Sequence, residues 1–223
     1  MEIFDSTHLK RIYRQRFAVE ERAWRNGVWR VLCRHFFQRF VPPQATVLDL
    51  AAGNCEFINN IQAAQKIAVD LNEDVRSFAA PEVRVVIAYS HAVSEVASES
   101  VDVVFVSNFF EHLPDKGALL ATLGEIRRIL KRDGKLLILQ PNIRLLSGAY
   151  WDFIDHLLPL THHTLVEALE LVDMPIEYMR VRFLPYTTRS RLPRAVWLVW
   201  LYLHFRPAQW LMGKQTFVVA RKP

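Results

Sequence analysis

A short loop of small residues, 51–55 (AAGNC), follows the apolar segment 46–50 (TVLDL). Small side chains let a ligand approach the backbone at the end of a strand, where open α/β sheets bind ligands. Asp70 ends the next apolar segment, about twenty residues after the loop, where a carboxylate can accept two hydrogen bonds from a ribose diol. The loop and Asp70 together predict a nucleoside-binding site. The loop alone matches neither GxGxxG nor a P-loop.

His112 is the first candidate for proton transfer. It follows the apolar segment 101–106, so we expect it near the ligand-binding end of the sheet. Imidazole exchanges a proton near neutral pH, so His112 is predicted to be a general base. The alternative is that His112 and Glu111 fix their loop by hydrogen bonds.

Asp155 and His156 are the second candidate pair, and they lie in an aromatic segment. Adjacent residues do not face each other on a helix, so the two do not automatically form a dyad. They are predicted to touch the substrate in a pocket for an apolar group or a sugar, or else the segment packs in the core. The aromatic residues of the segment are Tyr150, Trp151 and Phe153.

No metal site is predicted, because no set of Asp, Glu or His has ligand spacing anchored to a strand end. Cys33 and Cys55 form neither a zinc pattern nor a disulfide framework. Residues 1–10 do not read as a secretion signal, and no apolar run is long enough to span a membrane. We therefore expect a cytoplasmic protein in a reducing compartment.

Short apolar strands alternate with helical segments after Pro42-Pro43. Continuous apolar strands separated by helices indicate a parallel sheet covered on both faces. Two later strands are expected to form an antiparallel edge. The predicted strands are 46–50, 66–70, 83–88, 101–106, 135–140, 176–184 and 216–220, with helices at 56–65, 74–80, 116–130 and 161–172.

The formal net charge of +5 lies entirely in residues 1–40, which hold nine Lys/Arg and four Asp/Glu. Residues 41–223 hold nineteen of each. The pattern of residues 8–41 predicts a helical arm that Gly27 divides in two. Its excess charge would face an acidic ligand, an anionic membrane or RNA, or form a solvated helix face. Residues 1–43 are predicted to be an arm or lid, and 44–223 the main domain, with insertions at about 143–160 and 186–214.

The segment 194–206 is rich in Trp and Tyr and is apolar nearly all round, which favours burial or a homodimer interface. The alternative is peripheral contact of residues 191–212 with the inner face of the membrane.

The order VLDLxxGN, AVD, VDVVFxSNFFEHL and IRRILKRDGKLLILQPN resembles the class I S-adenosylmethionine-dependent methyltransferases, in particular the methyltransferase type 11 branch. The resemblance covers residues 46–142. It implies a Rossmann-like, doubly wound, mostly parallel seven-stranded sheet, an N-terminal helical arm and a C-terminal aromatic helical insertion. S-adenosylmethionine would be the cofactor and S-adenosylhomocysteine the product.

The resemblance also implies roles for individual residues. Asp70 would hold the ribose hydroxyls, Leu71 would contact the adenine, and Ser90 falls where the family often has an acidic residue near the adenine amino group. Ser107 and Asn108 would face the methyl group. The residues lining the methionine side would be Asp49, Ala51, Ala52, Gly53 and Asn54.

The cofactor loop departs from the family pattern GxGxG, because Ala51 and Cys55 replace the outer glycines. Alanine is comfortable only at negative φ, so a loop that needs positive φ there would lose cofactor affinity. This departure keeps open the alternative that the protein is a non-catalytic scaffold with a degenerate cofactor loop.

The C-terminal third is similar to methyltransferases of saccharide, cell-envelope and secondary-metabolite pathways. The expected reaction is O-methylation of a hydroxyl on a small-molecule or lipid-linked saccharide acceptor. An RNA or protein methyltransferase that uses the basic arm is the alternative. Nucleic acid is not expected, because residues 107–110 (SNFF) lack the proline pair of base-methylating enzymes.

Overall fold

The computed structural model describes residues 22–186 and 195–223, and its centre is a seven-stranded sheet. The strand order is β3-β2-β1-β4-β5-β7-β6. Strands β1 to β5 are parallel, and β7 runs antiparallel to both β5 and β6. The strands are β1 Thr46–Leu50, β2 Gln65–Asp70, β3 Val83–Ile87, β4 Val101–Ser107, β5 Leu130–Pro141, β6 Ile176–Arg180 and β7 Gln215–Arg221. The predicted sheet is confirmed.

Seven α-helices are described beside this sheet. They are α1 Arg22–His35, α2 Glu56–Asn60, α3 Lys116–Ile129, α4 Ile143–Leu146, α5 His162–Leu171, α6 Val196–His204 and α7 Arg206–Met212. Short 3-10 helices occupy Phe37–Phe40, Glu73–Ser77, Phe110–His112 and Ser147–Asp152. The break predicted at Gly27 is wrong, since α1 continues through it and packs closely against α6. A Cβ at Gly27 would lie 3.0 Å from Val196 Cγ2.

Two apolar layers enclose the sheet. On one face, α3 and α5 contribute buried leucines and isoleucines that pack against strand residues. On the other face, Leu32 and Cys33 of α1 pack with Phe36 and Phe37, which follow α1, and with Leu203 of α6. The described part of the predicted arm, from residue 22 onward, is thus built into the core. Residues 1–21 lie outside the described residues, and a lid role for the arm stays a prediction.

Two local predictions differ from the structure. The helix predicted over residues 56–65 ends at Asn60, because Ile61 is extended and the chain turns to bond Ala64 to Ala45. The helix predicted over residues 74–80 is the shorter 3-10 helix Glu73–Ser77. Within β5 the chain turns at Asp133, which has a φ of 62°, and the pairing with β4 shifts register. Strand pairing therefore continues on both sides of that turn.

The described part of the segment 194–206 is not the buried helix that its all-round apolarity favoured. Helices α6 and α7 leave Trp197 and Trp210 exposed, at 64% and 70%, and bury Leu203 on the inner side. The segment is short, and Tyr202 and Leu203 suffice to attach it to the sheet layer. No helix within residues 22–186 and 195–223 combines the length and hydropathy needed to cross a bilayer.

Candidate active site

The loop 51–55 at the end of β1 keeps a glycine-type backbone although it has one glycine. Ala51, Gly53 and Cys55 have φ values of 58°, 52° and 57°. This left-handed region costs a non-glycine residue roughly 1–2 kcal/mol. The sequence-based concern that the loop needs positive φ at Ala51 and Cys55 is therefore correct, and the chain adopts that conformation all the same. The loop shape survives the loss of two glycines.

Asp70 connects this loop to the end of β2. One carboxylate oxygen accepts the backbone N–H of Gly53, and the other accepts that of Asn72, both at 2.8 Å. Burial raises the pKa of Asp70, and the backbone N–H groups oppose that rise. An ionised carboxylate has about four acceptor positions, so this one keeps capacity for two ribose hydroxyls. The predicted juxtaposition of loop and acid is present.

The remaining predicted cofactor residues all lie at or near this edge of the sheet. Asp49 is 4% exposed, and burial raises its pKa well above the usual range. Ser90, after β3, shares a 2.9 Å hydrogen bond with Thr122 Oγ1 of α3. Asn108 has a φ of 48° and donates to Ser107 Oγ at the end of β4. Ala52 is buried, whereas Asn54 and Leu71 are half-buried.

His112, Asp155 and His156 come together, although 43 residues separate the first from the second. His112 Nδ1 lies 2.9 Å from the backbone carbonyl of Asp155 and 3.3 Å from its Oδ2. His156 Nδ1 lies 2.8 Å from the carbonyl of Tyr150, and the two imidazole rings are 5.1 Å apart. Because a carbonyl only accepts, each Nδ1 carries a proton, and each neutral ring has its lone pair on Nε2.

Glu111 anchors the aromatic segment to the end of β4. Its backbone carbonyl accepts the N–H groups of Leu157 and Leu158 at 2.8 and 3.0 Å. Its side chain is 1% exposed and accepts Gln140 Nε2 at 2.9 Å. Burial raises the pKa of the Glu111 carboxyl, and the nearby His112 opposes that rise. Glu111 thus holds its loop by hydrogen bonds, which is what the alternative to a general-base role of His112 predicts for Glu111.

Gln140 is the residue of this site that sequence reasoning missed. It is buried at the end of β5, and its Oε1 has no hydrogen-bond partner among the described residues. The signal was present, since Gln140 is the single polar residue after the apolar run 136–139 (LLIL). A buried amide at the end of a central strand indicates a polar site, because burial of an unpaired polar group is costly.

Glu111, His112 and His156 also form a group whose ligand-type atoms all lie within 4.8 Å of one another. The sequence spacing gave no sign of this group, because His156 arrives from a distant segment. Ligands of one zinc ion at about 2.1 Å lie about 3.5 Å apart, so atoms at the upper limit would have to approach. That the protein has no metal site stays a prediction.

Comparisons with known proteins agree with this geometry. Residues 48–138 match the family model described as a methyltransferase domain. No curated protein sequence matches the chain. A SAM-dependent methyltransferase from Archaeoglobus fulgidus aligns at 19% identity over 92% of this chain and 98% of that chain, with a TM-score of 0.66. A SAM-dependent methyltransferase from Thermotoga maritima aligns at 16% identity over 97% and 100%, with a TM-score of 0.67.

A third structure is the geranyl diphosphate C-methyltransferase from Streptomyces coelicolor, in complex with Mg²⁺, geranyl diphosphate and S-adenosyl-L-homocysteine. It aligns at 12% identity over 87% of this chain and 78% of that chain, with a TM-score of 0.59. At such identities the likeness to these structures shows the fold. The family model covers residues 48–138, less than half of the chain, and the seven-stranded fold is the one that these S-adenosylmethionine-dependent methyltransferases have. The cofactor that the sequence resemblance implies is S-adenosylmethionine.

The residues present fit this cofactor. The left-handed backbone at Ala51, Gly53 and Cys55 gives the loop the shape that a glycine-rich loop would have. Asp70 stands at the end of β2 with acceptor capacity for the ribose. The fit rests on these features of the loop and of β2, independently of the sequence resemblance.

Proposed function

We propose that the protein transfers a methyl group to a hydroxyl of a small-molecule acceptor, a sugar, a glycolipid or a secondary metabolite. The observation that carries this proposal is the contact of His112 Nδ1 with Asp155, directly after β4. Bound S-adenosylmethionine would supply a methyl group on a positively charged sulfur, and the bond between that sulfur and the methyl carbon would break as S-adenosylhomocysteine, a neutral thioether, leaves. Oxygen acceptors gain most from a general base, whereas amines and carbanions need less help.

In the proposed step, His112 Nε2 takes the proton of the acceptor hydroxyl while the oxygen attacks the methyl carbon. The proton then resides on the imidazole, and the carboxylate of Asp155 stabilises the resulting imidazolium through Nδ1. The acceptor leaves as a methyl ether, and the proton returns to solvent from His112. This division of roles needs the 3.3 Å contact between His112 Nδ1 and Asp155 Oδ2.

The surroundings of His156 support a polar acceptor with an apolar face. The rings of Phe153 and Tyr150 have centroids 5.0 and 4.8 Å from that of His156, and Tyr186 lies across from Phe153 at 6.0 Å. Aromatic rings pack against the C–H faces of sugars. Gln140 Oε1 offers a buried acceptor for a second hydroxyl of the substrate.

Cofactor binding in this proposal uses the predicted residues: the loop 51–55 for the methionine part, Asp70 for the ribose, and Leu71 and Ser90 near the adenine. The retained loop backbone argues against the scaffold alternative, because its conformation is the one the cofactor needs. A lipid-linked saccharide is the acceptor we favour within this class, with the protein in the cytoplasm at the inner face of a membrane.

The test begins with calorimetric titration of the protein with S-adenosylmethionine and S-adenosylhomocysteine. Asp70→Ala should lose cofactor affinity, whereas Glu73→Ala, an exposed acid a few residues away, should keep it. Hydroxyl-bearing saccharides are then screened for methyl transfer, with His112→Ala as the matched variant. Undiminished cofactor affinity in Asp70→Ala would overturn the ribose assignment. Transfer to amines but never to hydroxyls would overturn the acceptor class.

A further inference from the structure

An exposed apolar face covers the outer side of α6 and α7. We name this set the aromatic face. Its residues are Trp197, Trp200, Leu201, Phe205, Trp210 and Leu211, each between 45% and 70% exposed. Large side chains exposed singly are ordinary, but a contiguous set of this kind marks a surface that contacts another phase or molecule. Tryptophan is the residue most enriched where a bilayer meets water.

The described residues around the aromatic face are rich in basic side chains. Residues 178–186 and 195–215 hold four Lys/Arg and no Asp or Glu, and residues 22–40 hold five Arg and no Asp or Glu. The last of these segments contains α1, which packs against α6 at Gly27. Arg30 and Arg34 of α1 are exposed. A surface that joins apolar aromatic groups to an excess of positive charge is complementary to an anionic, apolar partner.

A groove of about 540 Å³ lies beside Trp210 and is lined by Arg180, Arg182 and Arg206. Arg180 Nη1 donates to Gln209 Oε1, and Arg182 Nη1 to the carbonyl of Trp210, both at 3.0 Å. These partners are neutral. Arg180 Nε is buried without a hydrogen-bond partner among the described residues. Burial lowers the pKa of Arg180, and Arg206 adds to the effect. The groove therefore presents three clustered guanidinium groups, and none of its lining residues is acidic.

We propose that the aromatic face and this arginine groove bind the surface of an anionic lipid bilayer, with the tryptophans at headgroup depth and the arginines on lipid phosphates. Helices of nine and seven residues are too short to span a bilayer, and they lie in the interface plane. A second copy of the chain fits poorly. A two-fold interface would bring the same basic surface against itself, arginine against arginine.

The proposed surface adjoins the edge of the sheet that carries the active site. The backbone carbonyl of Lys214, after α7, accepts the N–H of Asn142, and Asn142 follows β5 at that edge. β7 then begins at Gln215, opposite Pro141. Docking would therefore place the acceptor side of the site near the bilayer. The binding test is independent of the proposed methyl transfer, so the two can fail separately.

The experiment is flotation of the full chain with vesicles of phosphatidylcholine alone and with vesicles that also contain phosphatidylglycerol. We expect binding to the second set only, weakened by added salt. Trp197→Gln with Trp210→Gln should weaken binding by at least about tenfold. Arg30→Gln and Arg34→Gln should each weaken it by about fivefold. The controls are Leu171→Gln, an exposed leucine of α5 on the other face, and Arg132→Gln, an exposed arginine of β5.

Any of the following outcomes would overturn the proposal. One is equal binding to both vesicle sets, and another is an equal effect of the control and test variants. The third is a dimer in sedimentation velocity that the Trp197→Gln, Trp210→Gln variant dissociates, since the face would then be a subunit interface. RNA that displaces the vesicles and binds more tightly would also replace the bilayer as partner. If a variant unfolds, quenching of wild-type tryptophan fluorescence by brominated phosphatidylglycerol decides, and unquenched fluorescence counts against the proposal.

Discussion

Asp155 contacts the ring of His112, 43 residues earlier in the chain, while the ring of its neighbour His156 bonds the carbonyl of Tyr150. The pair forms because the carbonyl of Glu111 accepts two N–H groups from the segment that follows Asp155. The end of β4 and the aromatic segment are thereby held in one arrangement. Asp155 is 2% exposed, so its carboxylate faces His112 from a buried position.

Asp155→Asn should lower kcat for hydroxyl acceptors by at least about 100-fold. The asparagine keeps the backbone contact with Nδ1 but cannot stabilise an imidazolium. Cofactor affinity, measured by calorimetry, should not change. Asp152→Asn, an exposed acid of the same segment, is the matched control and should retain full activity. Similar kcat in wild type and Asp155→Asn would remove this pair from the proton transfer.

Glycine at the two replaced loop positions should have opposite effects on stability. Ala51→Gly relieves about 1–2 kcal/mol of left-handed strain, less about 0.5–1 kcal/mol of unfolded-state entropy, for a net gain of up to about 1.5 kcal/mol. Cys55→Gly gains the same relief but loses a fully buried side chain, for a net loss of about 1 kcal/mol. Urea unfolding followed by circular dichroism measures both.

The control for these variants is Ala52→Gly, in the same loop but without positive φ, which should destabilise by about 1 kcal/mol. If the unfolding free energy of Ala51→Gly falls as far as that of this control, the left-handed conformation at Ala51 is wrong.

Asp49 should make the protein less stable as pH rises. Its pKa is 3.8 when unfolded and well above that in the fold because of burial. A raised carboxyl pKa means that its contribution to stability is present below the unfolded value and is lost as pH rises toward the folded one. The slope is at most about 1.4 kcal/mol per pH unit for one group. Unfolding free energies of wild type and Asp49→Asn at about pH 5 and pH 8 should show a smaller fall in the variant.

Glu125 supplies a contrast of opposite sign. Its hydrogen bond from Arg128 lowers the pKa of its carboxyl, so its contribution is present above the ordinary value and is lost as pH falls. Glu125→Gln should therefore lower the unfolding free energy at neutral pH, reduce its further fall as pH drops, and leave its slope with pH at high pH unchanged. A parallel change in Asp49→Asn and Glu125→Gln would contradict the burial argument.

In the proposed mechanism chelators should leave methyl transfer unchanged, because a His112 Nε2 lone pair that takes the hydroxyl proton cannot also hold a metal ion. Activity is compared before and after dialysis against a strong chelator, with readdition of Zn²⁺, Mn²⁺ or Mg²⁺. Loss of activity that one ion restores would mean that Glu111, His112 and His156 hold that ion, and that it replaces His112 as the activator of the hydroxyl.

The parallel strands could be predicted from the sequence because they are continuous apolar runs. Segment 46–50 was located without error, and the other parallel strands differ mainly at their ends. The helix predicted over residues 161–172 is present as α5, and Thr161 caps it, since its Oγ1 accepts the N–H of Thr164. The helix through Gly27 was missed, because the close approach of α6 is a tertiary contact that local propensity does not encode.

The candidate site was predictable in its parts but not in its assembly. Asp70 and the loop lie one strand apart, so the topology alone brings them together. The meeting of His112 with Asp155 depends on how residues 143–160 fold back, and no local pattern reports that. The partial exposure of α6 was also missed, since apolarity on all sides of a helix is compatible with burial and with an interface alike.

The position of β7 within the sheet has a consequence for how the protein reaches its fold. This strand inserts between β5 and β6, although residues 142–214 separate it from β5 in sequence. Until residues 215–221 leave the ribosome, one edge of β5 has unpaired backbone groups beside buried apolar side chains. Such non-local pairing folds slowly and leaves the nascent chain prone to aggregation. Completion of the sheet therefore depends on late synthesis, and this interval is when chaperones would matter most.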